Sequence, residues 1–246
     1  MAKDVRQRVL DGLVDRMRYV VKDSGLDRSE NTGSTPFLDI TSSGTYSGTT
    51  RLKYKLEILD ATTVEVTDIT NSGTPTTETP TTGVPFALGA TGISVTITFT
   101  GDLTANIGDV FYVRMNKAFG DVHNVFPFYA VDSRSDYPSL SVFDAVVNKN
   151  PIMNERYDCT MIATIIFHFK DVSPENPEIY EYVADIENCL NDDHNLKEDD
   201  GTCIAHNLYV TQSEVFTTDG GEDIQLASIV AEVNYRHAFD DTRVLK

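Results

Sequence analysis

The stretch CTMIATIIFHFK, residues 159–170, decides the fold of most of this chain. Its residues alternate between two faces, and alternation with a period of two is typical of a strand that buries one face. The face that we expect to be buried carries Cys159, Met161, Ala163, Ile165, Phe167 and Phe169. The other face carries Thr160, Thr164, His168 and Lys170, partly covered by Ile162 and Ile166. This strand is the clearest core signal in the chain.

A helix and two further strands are predicted downstream of this strand. Ser173 can cap the helix, Pro174 or Pro177 suits its first turn, and an apolar stripe predicts a helix over 178–190. The stripe consists of Ile179, Val183, Ile186 and Leu190. The strands are expected at about 203–216 and 224–237, joined by a turn at 219–222. In the last strand one face carries Ala227, Ile229, Ala231, Val233 and Tyr235.

The N-terminus is predicted to be an amphipathic helix that ends near Gly25. Its apolar stripe is Val5, Val9, Leu13, Met17 and Val20, widened by Leu10, Val14 and Val21. Most of its basic residues lie off that stripe, and Arg6, Arg8, Arg16 and Arg18 are the candidates for charge contacts between subunits. Two interpretations stay open: solvated flanks of a helix packed on a sheet, or a basic face that meets an acidic partner surface.

The segment between these parts differs in composition. Residues 41–117 are rich in Thr and Gly and consist of short β-prone runs separated by turn residues. We therefore predict an inserted all-β, immunoglobulin-like sandwich at 41–117, within a core domain formed by 1–40 and 118–246. The core domain is predicted to be α+β, with an antiparallel or mixed sheet flanked by two helices. Within the insert, the strictly alternating run 51–58 predicts a strand with one wet face, and 71–80 predicts a hairpin tip or loop.

Composition excludes several classes of protein. Lys and Arg number 20 against 38 Asp and Glu, so the net charge is 20 − 38 = −18, which disfavours a sequence-reading nucleic-acid binder. No run approaches the roughly 18 apolar residues of a membrane span. The charged start of the chain does not resemble a signal peptide. Cys159, Cys189 and Cys203 lack C-x-x-C spacing and indicate reduced thiols in a cytosolic product.

No motif supports catalysis, a cofactor or a metal. Phosphate-binding loops, nucleotide-binding glycine patterns, nucleophile elbows and H-E-x-x-H are all missing from the sequence. His168 and His206 are expected on strands of one sheet, where they could approach each other, but hydrogen-bonded structural histidines are the more common case. The acidic stretch 192–200 lacks the spacing of a calcium loop and predicts a solvated, mobile loop. Cys159 and His168 lie on different faces of their strand. We therefore expect a protein that is not an enzyme and needs no cofactor or metal.

The order of elements resembles a family of phage proteins. The basic helix, the segment 137–142, the strand at 159–169, the helix at 178–190 and the closing strands that end in 233–237 resemble a tail terminator of a long-tailed bacteriophage. The resemblance covers about 1–38 and 121–246. It implies a hexameric ring that caps the tail tube and joins the tail to the neck, with DNA passing through an acidic lumen. The implied partners are further copies of the chain, the tail tube and possibly the sheath protein, and the connector or neck proteins.

The insert has a resemblance of its own. The runs 46–49, 51–58, 83–89 and 92–97, with the turn Gly108-Asp109, are similar to a β-sandwich module that recurs in phage structural proteins. The aromatic residue usual at the hairpin tip is replaced by a Thr/Pro run at 74–82, which favours a spacer or an outward decoration. The resemblances imply a virion location, with assembly in the host cytoplasm. The alternatives are another neck or baseplate component, such as a head–tail joining protein, or a host-glycan-binding module formed by the insert.

Overall fold

The computed structural model describes residues 4–20, 38–48, 50–115, 124–127, 138–152, 156–170, 178–198, 202–217 and 224–238. The chain forms two compact units, Met1–Arg18 with Asp121–Lys246, and Tyr19–Gly120. The first unit is therefore discontinuous in sequence. The boundary expected between residues 40 and 41 lies too late, because residues 38–40 already belong to a strand of the second unit.

The described residues contain two α-helices and fourteen strands, which makes the protein α+β. Short 3₁₀ turns follow the first helix at Arg18–Val20 and precede the seventh strand at Thr104–Asn106. In chain order the helices and strands are α1 (Val5–Met17), β1 (Leu38–Gly44), β2 (Leu52–Ile58), β3 (Val64–Asp68), β4 (Thr76–Glu78), β5 (Pro85–Ala87), β6 (Ile93–Phe99), β7 (Val110–Met115), β8 (Asn124–Pro127), β9 (Ser139–Ile152), β10 (Arg156–Lys170), α2 (Glu178–Asn191), β11 (Leu196–Lys197), β12 (Cys203–Ala205), β13 (Asn207–Thr217) and β14 (Ile224–Ala238).

The first unit is built on a five-stranded sheet in the order β13-β14-β10-β9-β8. The pairs β13/β14, β14/β10 and β10/β9 are antiparallel, whereas β8 runs parallel to β9, so the sheet is mixed. The strand predicted from residues 159–170 is the central one, β10, and it begins three residues earlier, at Arg156. It lies between two long partners, β14 over Arg156–Lys170 and β9 over Arg156–His168. Its apolar alternation follows from the burial of one of its two faces.

Both helices lie on one face of this sheet. Helix α1 packs against β8 and β9, α2 packs against β13 and β14, and the two helices contact each other. The face beneath them is the predicted core face of β10 and β14, and those predictions are confirmed: Cys159, Met161, Ala163, Ile165, Phe167, Phe169, Ala227, Ile229, Ala231, Val233 and Tyr235 are all buried. Burial of one large apolar side chain stabilises a fold by roughly 1.5–3 kcal/mol, so this face dominates the stability of the unit.

The predicted stripes of the two helices are confirmed as well. The residues Val5, Val9, Leu10, Leu13, Val14, Met17 and Val20 of the N-terminal segment are buried, and so are Ile179, Val183, Ile186 and Leu190 of α2. The Asp4 side chain caps α1 by accepting a hydrogen bond of 2.8 Å from the backbone N–H of Arg6. The α-helix ends at Met17, and the stop expected at Gly25 lies outside the described residues, as do the caps expected at Ser173, Pro174 and Pro177.

The described residues of the second unit form two antiparallel sheets that share one apolar core. One sheet has the order β1-β6-β5 and the other the order β4-β3-β2-β7. Buried side chains from both sheets form a single cluster that includes Ile40, Leu56, Val95, Ile97 and Val113. Two sheets that bury their facing sides in this way satisfy each other's apolar surface without any helix.

Two expectations for this unit are corrected. The stretch 71–80, expected as a hairpin tip or loop, contains the strand β4 at the edge of its sheet, where a short strand needs pairing on one side only. The wet face expected for 51–58 is not fully wet, because Lys53 is only 5% exposed. Its ammonium lies 4.4 Å from the centre of the Tyr112 ring, a cation–π contact that offsets part of the cost of burial.

Candidate functional site: the second face and outer edge of the large sheet

The face of the large sheet opposite α1 and α2, here called the second face, is the main candidate surface. The strand register places the following apolar residues on it: Phe143, Val146, Ile162, Ile166, Phe216, Leu226 and Val230. Val146 is 50% exposed and Phe216 is 36% exposed, and the other five are half-buried. Within the described part of the first unit no helix covers this face. An apolar series of this kind among polar neighbours is typical of a protein contact surface.

One end of the second face is a connected polar network. The Thr160 hydroxyl donates a hydrogen bond of 2.8 Å to the Asn234 side-chain oxygen, and the Asn234 amide lies 3.4 Å from the Glu232 carboxylate. A side-chain hydrogen bond to Glu232 raises the pKa of Tyr209. Arg236 and Asp158 form an exposed ion pair of 2.5 Å beside this network. These groups satisfy one another, so the network suits hydrogen-bonded recognition better than proton transfer.

The opposite end of the second face carries His168. Its Nε2 lies 3.3 Å from the Ser141 hydroxyl, and Ser141 is buried. Burial lowers the pKa of the His168 imidazole, which therefore favours the neutral form. Cys159 lies on the core face instead, opposite Tyr235 in the register. Burial raises the pKa of the Cys159 thiol and of the Tyr235 phenol, so both groups are held protonated.

The expectation that His168 and His206 could approach each other is wrong. His168 is paired with Leu226, whereas the backbone N–H of His206 bonds to the carbonyl of Asn234, eight residues further along β14. At about 3.4 Å per residue, the two histidines lie near opposite ends of the sheet, roughly 27 Å apart. His206 also lies in a bend between β12 and β13 and not on a strand. Among the described residues no three His, Cys, Asp or Glu side chains form a group that could hold a metal.

The structure places the four candidate arginines in different environments. Arg8 forms a bidentate pair with Glu198, with N···O distances of 2.7 and 2.6 Å, within the first unit. Arg16 is 6% exposed and donates hydrogen bonds of 2.9 and 2.7 Å to the backbone carbonyls of Asp193 and Asn195. Arg6 is exposed and Arg18 is half-buried. The interpretation of Arg16 as a contact between subunits is therefore corrected, because its guanidinium lies inside the unit.

The acidic stretch 192–200 is more ordered than expected. Residues 196–197 form β11, which pairs with β12, and Glu198 holds Arg8. The Asp193 carboxylate accepts a hydrogen bond of 2.9 Å from the backbone N–H of Asn195. This carboxylate is thus occupied by the turn that it stabilises, while the backbone carbonyls of the same turn accept from Arg16. Residues 199 and 200 lie outside the described residues.

The outer edge of the sheet is the second candidate feature. Strand β13 lies at the end of the strand order, with β14 on one side. Residues 211–214 and Phe216 are exposed, and Val215 is half-buried. Sequence analysis predicted one strand over about 203–216, which is corrected: the chain bends at His206, and residues 203–205 form β12 in a separate sheet. The edge position of β13 depends on pairing between distant residues, which no local pattern reports. The register likewise brings Phe216, Leu226 and Val230 onto one face with Ile162 and Ile166.

Comparison with known proteins gives little. No protein-family model matches the chain, and no curated protein matches it. Two crystal structures of Xanthomonas campestris FlgL, in space groups C2 and H3, are similar to part of it at 27% and 26% identity. Each match covers 38% of this chain, and 29% and 31% of the respective FlgL chain, with TM-scores of 0.26 and 0.25. The matched part thus spans less than a third of either FlgL chain, and scores this low do not establish a shared fold. No helix among the described residues is long and apolar enough to span a membrane.

Proposed function

We propose that this protein is a structural virion protein, a tail terminator of a long-tailed bacteriophage that forms a hexameric ring on the tail tube. The observation that carries the proposal is the second face. It presents the exposed side chains of Val146 and Phe216 together with half-buried apolar residues, on a sheet whose other face is filled by two helices. A ring subunit needs a surface of this kind, since the same contact is repeated by symmetry around the ring.

The charge of the chain supports the same proposal. A net charge of −18 makes the surface repel phosphate, so DNA that moves through a ring of such subunits does not adhere to the lumen. Proteins that hold DNA have the opposite balance. The ring is proposed to contact the tail tube, and the sheath where one is present, on one side and the neck or connector proteins on the other.

The second unit is proposed to be an immunoglobulin-like module of the kind inserted into phage structural proteins. Two antiparallel sheets with a common core support this, as does the turn Ile107-Gly108-Asp109 just before β7. Gly108 has a φ of 89°, and Asn106 donates a hydrogen bond of 2.9 Å to the Asp109 carboxylate across the turn. We assign the module a role as a spacer or decoration.

Electron microscopy and mass photometry of the purified protein test the proposal. When tail tubes are added to the purified protein, we expect six-membered rings with a central opening, each with six times the 27.3 kDa mass of one chain. Val146→Lys places a charge in the proposed contact and is expected to abolish the rings while the subunit stays folded. Ile107→Lys is the matched control, because Ile107 is 52% exposed in the second unit and Val146 is 50% exposed in the first.

The proposal fails if the wild-type protein stays below hexamer size at every concentration tested, with tail tubes present or absent. If rings form but Val146→Lys leaves them unchanged, the second face is not the contact between subunits. If Ile107→Lys abolishes rings as fully as Val146→Lys does, the effect is not specific to the second face.

A further inference from the structure

Among the described residues, little protects the outer edge of β13 for a strand of its length. Native proteins shield long edge strands with Pro, Lys, bulges or a covering element. Strand β13 spans eleven residues without Pro, Lys or Arg. A bulge between Val210 and Gln212 interrupts its register, and the Asn191 side chain accepts a hydrogen bond of 3.3 Å from the Val210 N–H. Both devices protect the first half of the strand, whereas residues 212–216 continue beyond them.

The register identifies the backbone groups that point away from the sheet. The Val210 N–H bonds outward to Asn191, so Val210 and Ala231 form a non-hydrogen-bonded pair. Such pairs alternate with hydrogen-bonded ones along an antiparallel ladder. Beyond the bulge, Gln212, Glu214 and Phe216 therefore bond to β14. The N–H and C=O groups of Ser213, Val215 and Thr217 point away from β14, toward the outer side of the edge.

We infer that this edge pairs with the same edge of a second copy, forming a two-fold symmetric dimer with a continuous ten-stranded sheet. A second copy of the chain is chosen as the partner because the outward-facing backbone groups of β13 are complementary to themselves in an antiparallel pairing. In an antiparallel pairing centred on Val215, each Val215 lies opposite its counterpart and Ser213 lies opposite Thr217. This register uses all three outward-facing residues of both copies, as an isologous contact requires.

Charge and packing select the same register. Centring the pair on Glu214 would place two carboxylates directly opposite each other, which destabilises an antiparallel pair. Centring it on Ser213 would run the ladder into the bulge at residues 210–212. Centring it on Val215 places Glu214 opposite Phe216, and it brings the 36% exposed Phe216 rings of both copies together near the two-fold axis. For a chain of net charge −18, a segment with a single carboxylate is a suitable place for two copies to meet.

This dimer is separate from the proposed ring. A ring that caps a tube is polar, whereas the β13 contact is two-fold symmetric, so we assign the dimer to the free protein before assembly. It would protect the edge from non-specific strand pairing. The inference does not depend on the ring, and the tests below use residues of β13 alone.

Proline substitutions can remove hydrogen bonds of the dimer contact without removing those between β13 and β14. Pro is tolerated on an edge strand where its missing N–H would face solvent. Ser213→Pro and Val215→Pro therefore remove donors from the dimer contact while leaving the β13/β14 pairing intact. Sedimentation velocity of the full chain is expected to show a wild-type dimer. Each proline variant is expected to weaken dimerisation about tenfold or more, because two backbone hydrogen bonds are lost per dimer. Thermal unfolding checks that both variants stay folded.

Cysteine cross-linking tests the register independently. In a Cys203→Ser background, which removes the exposed native thiol, Val215→Cys places two thiols opposite each other across the two-fold axis. Oxidation is expected to produce a covalent dimer. Ser213→Cys is the matched control, since its partner position is Thr217, and it is expected to stay uncrosslinked. A wild-type monomer at high micromolar concentration, proline variants that dimerise like the wild type, or equal cross-linking of both cysteine variants would each overturn the inference.

Discussion

At the scale of single residues, the main finding is the role of Arg16. A basic residue on an amphipathic helix is usually a solvated flank, yet this guanidinium is buried and bonds to the turn that follows α2. Its hydrogen bonds reach the carbonyls of Asp193 and Asn195, at 2.9 and 2.7 Å. The carbonyls after a helix have no partner within the helix, and Arg16 satisfies them from another element. Arg16 thereby ties α1 to the C-terminal end of α2.

Arg16→Met is expected to destabilise the protein by about 3 kcal/mol, because two half-buried carbonyls lose a charged donor. The matched control is Arg8→Met. The Arg8–Glu198 pair is partly exposed, with 20% and 36% of the two side chains accessible, so its loss is expected to cost less than about 1 kcal/mol. Urea unfolding of both variants measures the difference. Equal free energies of unfolding for Arg16→Met and the wild type would show that the Arg16 hydrogen bonds contribute nothing.

At the scale of elements, the pairing of β1 with β6 depends on two glycines that meet where the ladder ends. Gly44 is paired with Ile93 and has a φ of 104°, a conformation that residues other than glycine rarely adopt. A Cβ atom at Gly44 would lie 2.2 Å from the backbone oxygen of Gly92. Gly92, with a φ of 85°, in turn leaves room for the carbonyl of Thr45. The last residue pair of the β1/β6 ladder therefore requires two backbone segments to come into close contact.

Gly44→Ala is expected to destabilise the second unit by at least about 3 kcal/mol, since backbone strain and a clash with main-chain atoms add together. Gly101→Ala is the matched control. Its φ is 82°, but no atom lies within 4 Å of the added Cβ, so only the strain of about 1 kcal/mol is expected. Chemical denaturation measures both variants. A Gly44→Ala variant no less stable than Gly101→Ala would contradict the close approach.

At the scale of the whole molecule, the two units have separate cores. The second unit buries a cluster of its own, which includes Leu56, Val95 and Val113, and the first unit buries the helix-covered face of its sheet. Since each unit satisfies its own apolar surface, we expect the first unit to fold without the second. The natural junctions follow Arg18 and precede Asp121, not the composition change near residue 41.

Replacing residues 19–120 by a flexible Gly/Ser bridge is expected to leave a first unit that unfolds cooperatively. Differential scanning calorimetry measures the transition. The matched comparison is deletion of 42–117, which keeps β1 residues such as Ile40 but removes their partner β6. That variant is expected to be less soluble, because the remaining residues 38–41 of β1 have no strand to pair with. Loss of a cooperative transition in the 19–120 replacement would show that the units depend on each other.

Local patterns predicted much of the first unit. The period of two in β10 and β14 and the helical spacing in α1 and α2 identified their buried faces correctly, because burial of one face imposes that periodicity on the sequence. The same spacing held a further signal. Arg16 lies three residues after Leu13 and four before Val20, so it falls beside the apolar stripe. Its residue type alone had suggested that Arg16 is exposed to solvent. A long side chain can, however, bury its stem and bring its charged head to backbone carbonyls.

The sequence by itself determined the class of the fold, the buried faces of its main elements, the predominance of strands among the described residues of the second unit and the acidic charge balance, since these depend on residue type at short spacing. Only the tertiary structure decided which residues from distant strands share a face and which strand lies at the edge. Pairing of β13, β14, β10 and β9 places Phe216, Val230, Ile162 and Val146 on one surface, and it separates His168 from His206. Strand register is a property of pairs of segments, because hydrogen bonds between strands join residues that lie far apart in the chain.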